Sequence, residues 1–442
     1  MFNKPVLSLL LAFMISIGTL AQSRMEMSLE DCIKYGLENN KNIKIATEKV
    51  KTSRLKREEV NTSGLPSLSL QAGYTRLSAV DPFTISIPLG GAMQSFTVSP
   101  SILDNYSAKL TLTQPLFTGF KIDLNKDLTD QSIQAGLYDL EAEKSKLRYN
   151  IANAFWTLNK VTEGKKVIEE YIKTIELHLK DLNNFYKQGL VTVNEVLKLE
   201  VQLSSTKVQL LETENGIEMA RLNMLNTLDL PMETELILIP TTDETPQSEI
   251  QSLEDANKMA LGTRPELKAM AVRINSRETA VELTRSSWYP DVYLVGNYSY
   301  SRPNPRIVPT KDEFNGTWDL TLSLSYTLWN WNATSYRTQQ AESELSQTNY
   351  QYQMMKDGVL IEVKQAWLNL SANKSRVTLA GSTVKQAEEN YRISYNLFKQ
   401  GLIKNSDLID AEVALFEAKI KLVTAASDLK NAEALLNKAI GN

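Results

Sequence analysis

Two stretches in the C-terminal half of the chain alternate strictly between apolar and polar residues. The apolar positions are Val292, Leu294, Gly296, Tyr298 and Tyr300 in the first stretch, and Trp318, Leu320, Leu322, Leu324, Tyr326 and Leu328 in the second. Most of the residues between them are Ser, Thr, Asn or Asp. A period of two is typical of β-strands whose two faces meet different surroundings. The pattern therefore predicts a β-hairpin.

A weaker alternation of the same kind lies in the N-terminal half. It runs through Leu68, Leu70, Ala72 and Tyr74, and again through Ala108, Leu110, Leu112 and Leu116. Each half therefore contributes one β-hairpin. In the N-terminal half, we expect the residues from Leu77 to Asn105 to form a loop that contains Gly and Pro.

The rest of each half consists of helical patterns of unusual length. We predict helices over residues 28 to 60 and 252 to 286, over about 122 to 187 and 334 to 399, and from the following turns to about 229 and 439. Ser28 and Ser252, each followed by acidic residues, are expected to cap the opening helices. Each long helix spans about 100 Å, close to the summed length of the two shorter ones. Two short helices can therefore stack end to end beside each long one.

The two halves are copies of one unit. The segment Ser28–Asp31 recurs as Ser252–Asp255, 224 residues later, and Phe185–Leu190 recurs as Leu397–Leu402 at a spacing of 212. The second copy therefore lacks twelve residues, which are lost where the first copy has its longer loop. Since repetition dictates architecture, we divide the chain accordingly. The divisions are a signal peptide over 1–21, a first repeat over 22–230, a linker of irregular chain over 231–251 and a second repeat over 252–442.

The N-terminus has the pattern of a secretory signal peptide. Lys4 precedes an apolar run over residues 6–20, and small residues stand at the −3 and −1 positions before Gln22. The run is shorter than the roughly 20 residues that cross a bilayer as a helix. Cys32 is the only cysteine, so neither a disulfide nor a lipid attachment is supported, and we expect an ordinary buried thiol.

The charge composition argues against a nucleic-acid partner. The formal net charge is −4, and charged residues make up 23% of the chain. A nucleic-acid binder needs clustered Lys and Arg, whereas the charges here are interspersed. We therefore expect no nucleic-acid partner.

The alternating strands could belong to a soluble β-sandwich or to a membrane barrel. Three features favour the barrel: strands of about 10 residues, Ser, Thr and Asn on one face, and aromatic residues at the ends of the other. Four strands cannot close a barrel, and an open edge in hydrocarbon leaves costly unpaired amides. Oligomerisation must close it, and two, three or four copies would give about 8, 12 or 16 strands. A barrel of about 8 strands is nearly filled by side chains, whereas a trimer with about 12 leaves an aqueous lumen. The helical columns of three chains then form a ring.

These residues resemble the TolC family of outer-membrane efflux proteins over essentially the whole mature chain. The resemblance is carried by the duplicated Ser-Leu-Glu-Asp openings, by the step from strand to helix over Gln114–Gly119, and by the turns Gln188–Leu190 and Gln400–Leu402. It implies a mixed fold in which a transmembrane β-barrel, completed by trimerisation with four strands per chain, joins a long periplasmic α-helical barrel. The expected location is the cell outer membrane, with the tunnel extending into the periplasm and with its linker at mid-height.

The resemblance also implies a function and partners. The expected function is that of an exit duct in a tripartite efflux or type I secretion system, which conducts substrates passively to the exterior. The expected partners are two further copies of the chain, a periplasmic adaptor (membrane fusion) protein, an inner-membrane transporter and outer-membrane lipid. The exported substrate and the class of pump stay open.

In the family, the two Gly-Leu turns form the periplasmic tip where adaptors dock. Here these residues are Gly189, Leu190, Gly401 and Leu402. Glycine permits the positive φ of a tight reversal, and the leucines offer apolar contacts. A plain turn between helices explains the glycines equally well.

The family places an acidic constriction just past the second turn. Asp407 and Asp410, three residues apart, share a helical face there, and the equivalent positions in the first repeat are Glu195 and Lys198. We expect Asp407, Asp410 and Glu195 to form the periplasmic gate, with a solvated helix face as the alternative. Some family members latch this region with tyrosine and arginine, where this chain has Phe398 and Ile403.

No constellation of catalytic residues emerges. His178 is the only histidine, so the common His/Cys metal sites and nucleophile pairs cannot be built. We expect no enzyme activity, no cofactor and no metal site, and we expect His178 to be an exposed helix residue. The rival interpretation is a secreted structural coiled coil.

Overall fold

The structure of the chain is a computed structural model, described for residues 24–99, 101–239 and 252–441. The expected signal peptide and most of the expected linker lie outside the described residues. In the part that is described, no helix has both the length and the apolar character needed to cross a membrane.

The described residues of the first repeat form four helices and five strands, and a sixth strand follows them. They are β1 (Arg24–Met27), α1 (Leu29–Asn39), α2 (Lys41–Thr62), β2 (Ser67–Arg76), β3 (Phe83–Leu89), β4 (Ala92–Ser99), β5 (Asp104–Thr118), α3 (Lys121–Lys187), α4 (Val193–Leu228) and β6 (Glu235–Leu238). The second repeat follows as α5 (Leu253–Thr263), α6 (Pro265–Arg285), β7 (Asp291–Arg302), β8 (Asn315–Ser325), α7 (Ala333–Lys399) and α8 (Asn405–Ile440). The long helices α3 and α7 have 67 residues each, as the sequence pattern predicts.

Each opening helix is broken once, where the sequence pattern predicts a single helix. Asn40 leaves the helical conformation. Its side-chain Nδ2 donates to the Thr227 carbonyl at 2.9 Å, and its Oδ1 accepts from the backbone amide of Asn42 at 2.8 Å. The second break falls before Pro265, which has no N–H and suits the first position of a new helix. The two breaks occupy equivalent places in the two repeats. The expected caps are confirmed: Ser28 and Ser252 accept from the amides of Asp31 and Asp255.

The four strands predicted from alternation form one antiparallel sheet in the order β2-β5-β7-β8. Its register confirms the apolar face, because one row of partners runs Leu70, Leu110, Tyr298 and Trp318. The next row runs Leu68, Leu112, Gly296 and Leu320. These rows lie on the same face, where most of the large side chains are exposed.

The opposite face of the sheet carries a polar ladder. Thr111 donates its hydroxyl to Asn297 Oδ1 at 3.0 Å, and Asn297 Nδ2 donates to Asp319 Oδ2 at 2.7 Å. The sheet therefore separates an apolar surface from a hydrogen-bonded one, as its alternation predicts.

Two small sheets were missed by the sequence pattern. The segment expected to be a loop contains the hairpin β3-β4, whose turn at Gly90 and Gly91 has φ values of 63° and 92°. A Gly-Gly pair between alternating runs is itself a signal for a β-hairpin. Strand β6 lies in the segment expected to be irregular and pairs in parallel with β1. Such short strands give little periodicity of their own, because their pairing depends on distant residues.

The chain divides into two compact units. One contains the described residues of Met1–Lys44, Glu143–Thr263 and Val359–Asn442, and the other contains Ile45–Ala142 and Arg264–Gly358. The second unit includes the four-stranded sheet. The first includes the turns between the long and short helices, together with a core cluster of Tyr171, Ile175, Leu182, Val196, Leu199, Phe398 and Leu408. Cys32 is fully buried in this unit, as expected.

The step from β5 into α3 requires glycine. Gly119 has a φ of 60°, in the left-handed region. A Cβ at this position would lie 2.8 Å from the Ser286 carbonyl oxygen and 2.9 Å from Tyr289 Cβ. Both the backbone conformation and the close approach exclude a side chain there.

We expect Gly119→Ala to lower the free energy of unfolding by about 1–3 kcal/mol, because it adds backbone strain and a clash. The measurement is the thermal unfolding midpoint, followed by circular dichroism. Gly216→Ala is the control: Gly216 lies within α4 with no foreign atom within 4 Å of a built Cβ. That change should be neutral or stabilising by up to about 1 kcal/mol. Equal midpoints for the two variants would contradict the role assigned to Gly119.

Candidate functional site

The two turns that end the long helices have the same geometry. Gly189 follows α3 with a φ of 73°, and Gly401 follows α7 with a φ of 71°. In the first turn the amide of Gly189 donates to the Tyr186 carbonyl, and the amide of Leu190 donates to the Phe185 carbonyl, both at 2.9 Å. The second turn repeats both hydrogen bonds in the same pattern. This is the Schellman arrangement, in which the left-handed residue stops the helix and satisfies its last carbonyls.

Each turn presents a leucine to solvent. Leu190 and Leu402 are both 67% exposed. Behind the turns, Val191 and Ile403 pack against the core cluster of this unit. Each turn is therefore anchored to the core cluster by one apolar residue and exposes the preceding leucine to solvent.

The acidic pair at the start of α8 lies on an exposed face. Asp407 and Asp410 are both exposed. Asp407 Oδ2 also accepts from the Lys404 amide at 3.3 Å, at the N-terminus of α8. An acid in this position stabilises a helix by satisfying an open amide and by meeting the positive end of the helix dipole. Asp407 therefore has a structural role in the single chain.

The third expected gate residue, Glu195, is engaged differently. Its carboxylate accepts from Asn405 Nδ2 at 3.1 Å and from Lys198 Nζ at 3.1 Å. The hydrogen bond from Asn405, and then that from Lys198, lower the pKa of Glu195. Glu195 is half-buried, unlike the two aspartates. Glu195 thus links the first turn of α4 to the first turn of α8 through Asn405, and Lys198 pairs with its negative charge.

The positions where some TolC-type channels carry a latch are apolar here and face inward. Phe398 is buried and packs edge-on against Phe185, with ring centroids 5.8 Å apart, and against His178, at 5.3 Å. The side chain at this position therefore serves the core of the unit.

The expectation for His178 was wrong. Its side chain is buried, and Nδ1 lies 3.2 Å from Glu412 Oε2. Tyr171, Ile175, His178 and Leu182 follow one another at intervals of four, three and four residues, which places His178 on the buried stripe of α3. That spacing was readable in the sequence and should have outweighed the polarity of a single histidine.

Comparison with known proteins supports the resemblance. The chain matches the family described as Outer membrane efflux protein over residues 33–228 and 257–442, which are two separate segments. The Toxin and drug export protein A of Aggregatibacter actinomycetemcomitans is 20% identical over 408 residues, covering 90% of this chain and 84% of that protein. The Toluene efflux pump outer membrane protein TtgC of Pseudomonas putida is 18% identical over 422 residues, covering 94% and 83%.

Solved structures share the fold. The outer membrane protein VceC of Vibrio cholerae superimposes with a TM-score of 0.77 at 18% identity, covering 94% of this chain and 96% of that one. CusC superimposes with a TM-score of 0.80 at 14% identity, covering 94% and 92%. The resemblance to TolC-like channels and the combination of long helices with a strand domain in two tandem repeats are confirmed. The chain belongs to the outer membrane efflux protein family, and it is an outer-membrane channel for efflux or secretion.

Proposed function

We propose that three copies of this chain form one exit duct, which receives cargo from an inner-membrane transporter through a periplasmic adaptor protein. The observation that carries this proposal is the open sheet. Strands β2 and β8 are its two edges, and neither has a further strand partner among the described residues. Unpaired backbone groups in hydrocarbon cost several kcal/mol each, so β8 of one copy must pair with β2 of the next. Three copies then close a barrel of about 12 strands.

The helices support the same assembly. On α4, exposed apolar residues recur at spacings close to whole turns: Leu197, Val201, Val208, Leu211 and Met219. A second exposed stripe runs along α7 through Tyr350, Met354, Ile361, Leu368 and Leu379. Stripes of this periodicity are typical of helices that pack against other helices. In the proposed trimer they supply contacts between neighbouring chains.

The other two divisions of the chain belong to the same proposal. The proposed signal peptide, residues 1–21, directs export, and the segment 231–251 links the repeats at mid-height of the tunnel. The names of two relatives, a toxin and drug export protein and a toluene efflux pump protein, support an inner-membrane pump as the source of cargo.

At the periplasmic end, we assign adaptor docking to Gly189, Leu190, Gly401 and Leu402, and the gate to Asp407, Asp410 and Glu195. The exposed leucines support docking, since apolar side chains beside a rigid turn bind with little loss of entropy. The shared exposed face of the two aspartates supports the gate. Glu195 contributes less than the two aspartates to the negative potential of the proposed gate, because Lys198 Nζ lies 3.1 Å from its carboxylate.

We expect Leu322→Arg to prevent assembly far more than Ser323→Arg does. The two residues are neighbours on β8 and point to opposite faces, and Leu322 is on the exposed apolar one. An arginine facing lipid costs about 2–4 kcal/mol at the midplane, whereas a lumen position is wet. The measurement is the amount of heat-modifiable trimer in outer-membrane fractions on gels. Similar losses from both variants would rule out the proposed barrel.

For the docking surface, the test is the double variant Leu190→Ser, Leu402→Ser. Burial of one leucine side chain in a contact contributes about 1.5–3 kcal/mol to binding. Loss of both leucines should therefore prevent adaptor binding and export, while the trimers persist. Export by the pump of the native host and trimer content are measured together. Leu55→Ser, which changes a comparably exposed leucine of α2, is the control and should export normally. If the double variant exports as well as the control, adaptors dock elsewhere.

For the gate, we expect small, cation-selective conductance from the purified channel in planar bilayers. A ring of carboxylates attracts cations, most strongly at low salt, where the Debye length reaches about 30 Å at 0.01 M. Asp407→Asn with Asp410→Asn should weaken both the cation preference and block by multivalent cations from the periplasmic side. Glu195→Gln alone should change them less, because its charge is already paired. Unchanged cation selectivity in the double variant would show that the two aspartates form only a solvated helix face and not the gate.

A further inference from the structure

The junctions between the strands and the long helices hold aromatic residues on unfavourable backbone. Phe120, between β5 and α3, has a φ of 65°. The equivalent junction of the second repeat, 212 residues later, also has two left-handed residues: Trp331 with a φ of 55° and Asn332 with a φ of 63°. A bulky side chain is strained in this region. Because Phe120 is 55% exposed and Trp331 is 81% exposed, burial within one chain does not offset the strain.

Phe120 extends the apolar face of the sheet toward the helices. Phe117 pairs with Val292, whose partner Leu324 lies on that face, so Phe117 lies there too. The rings of Phe117, Phe120 and Tyr289 meet edge-on, with centroids 5.4, 5.6 and 6.4 Å apart. This aromatic cluster marks the end of the apolar face where the helices begin. Aromatic residues at such a boundary are typical of the interface between hydrocarbon and lipid headgroups.

A cavity of about 660 Å³ lies beside this cluster, between α3, α6 and α7. Phe120, Tyr289 and Trp288 contribute aromatic surface to its wall, and the Trp288 side chain is about half exposed. All of its lining residues belong to the unit that contains the four-stranded sheet. Its volume is within the range of about 300–1,000 Å³ that is typical of ligand sites.

Three charged side chains also line the cavity. Arg285 donates from Nη1 to Glu282 Oε1 and from Nη2 to Glu342 Oε1, both at 2.8 Å. A guanidinium has five N–H donors, so donors remain for another acceptor. Oε2 of each glutamate has no donor among the described residues. The side chains of Arg285, Glu282 and Glu342 are 49%, 57% and 47% exposed, so a ligand can reach all three.

We propose that this cavity binds the headgroup of phosphatidylethanolamine from the membrane leaflet next to the helices. The phosphate accepts from the remaining N–H donors of Arg285, and the ammonium group donates to Oε2 of Glu282 and Glu342. The acyl chains continue past Phe120 onto the apolar face of the sheet. The inference rests on the proposed barrel, because it requires that face to meet lipid.

The charges of the cavity favour this headgroup over two others. One base and two acids leave a net negative charge, which disfavours an anionic lipid such as phosphatidylglycerol. The trimethylammonium group of phosphatidylcholine has no N–H to donate to the two glutamates. A primary ammonium group has three N–H donors and can bridge both acids.

The test is native mass spectrometry of the full-length channel, purified in detergent as a heat-modifiable trimer. It is incubated with equal amounts of phosphatidylethanolamine, phosphatidylglycerol and phosphatidylcholine that carry the same acyl chains. We expect one phosphatidylethanolamine per chain, retained at least about fivefold more than either other lipid. Equal retention of the three lipids would overturn the proposal. Glycerophosphoethanolamine, which lacks the acyl chains, should not displace the lipid at the same concentration; if it does, the site takes a free headgroup and not a lipid.

A double variant tests the two acids. Glu282→Gln with Glu342→Gln keeps the shape of both side chains, removes their charge and should abolish the preference for phosphatidylethanolamine over phosphatidylcholine. Glu389→Gln is the control, because it alters a comparably exposed Arg–Glu pair on α7 that does not line the cavity. It should bind lipid as the native protein does. A preference that survives in the double variant, or that is lost in the control, would contradict the assigned contacts.

Phe120→Gly separates contact with lipid from a role in the fold. Glycine relieves the positive φ, so the thermal unfolding midpoint in detergent without added lipid should equal or exceed that of the native protein. Retention of phosphatidylethanolamine should fall at least about threefold, because an apolar contact is lost. A lower midpoint with unchanged retention would show that Phe120 serves only the fold. If the native chain forms no trimers on gels, the proposed barrel fails as well; trimers without a lipid preference would overturn this inference alone.

Discussion

The open edges of the four-stranded sheet are the constraint on which the rest of the proposed assembly depends. At these edges, β2 and β8 lack hydrogen-bond partners among the described residues. Each strand has one edge of amide and carbonyl groups without a partner in the described chain, beside a face of exposed leucine and aromatic side chains. Neither water nor hydrocarbon stabilises both features at once. Exposing the apolar side chains to water is unfavourable, and leaving the backbone groups of the edges unpaired in hydrocarbon is also unfavourable. In the proposed trimer, repetition of the chain around an axis resolves the conflict. The exposed stripes on α4 and α7 would then find partners through the same symmetry operation.

Duplication gave the two repeats the same framework but different chemistry at their ends. The breaks at Asn40 and before Pro265 fall at equivalent positions, yet one uses an amide side chain and the other uses proline. The turns at Gly189 and Gly401 have kept identical hydrogen bonding. The helix starts that follow have diverged, since Glu195 is held by Asn405 whereas Asp407 caps its own helix. Backbone requirements were thus conserved between the repeats where charge was not.

The sequence predicted those parts of the fold that depend on local periodicity. The alternation around Leu322 set the apolar face, and the spacing of the repeats located both glycine turns. It failed for β6, whose pairing with β1 joins residues about 210 positions apart. It also failed for His178, because the polarity of one residue was weighed above the heptad stripe that contains it.

The divergence between Lys198 and Asp410 has an electrical consequence. If both repeats carried two acids, the potential around the axis of the proposed trimer would rise and fall with near six-fold symmetry. With a lysine in every second position, that field would have only three-fold symmetry, and negative lobes would alternate with nearly neutral sectors. A cation that approached the axis would be drawn toward one α8 helix rather than held evenly at the centre. The constriction would therefore sort ions by where they touch the wall as well as by their charge.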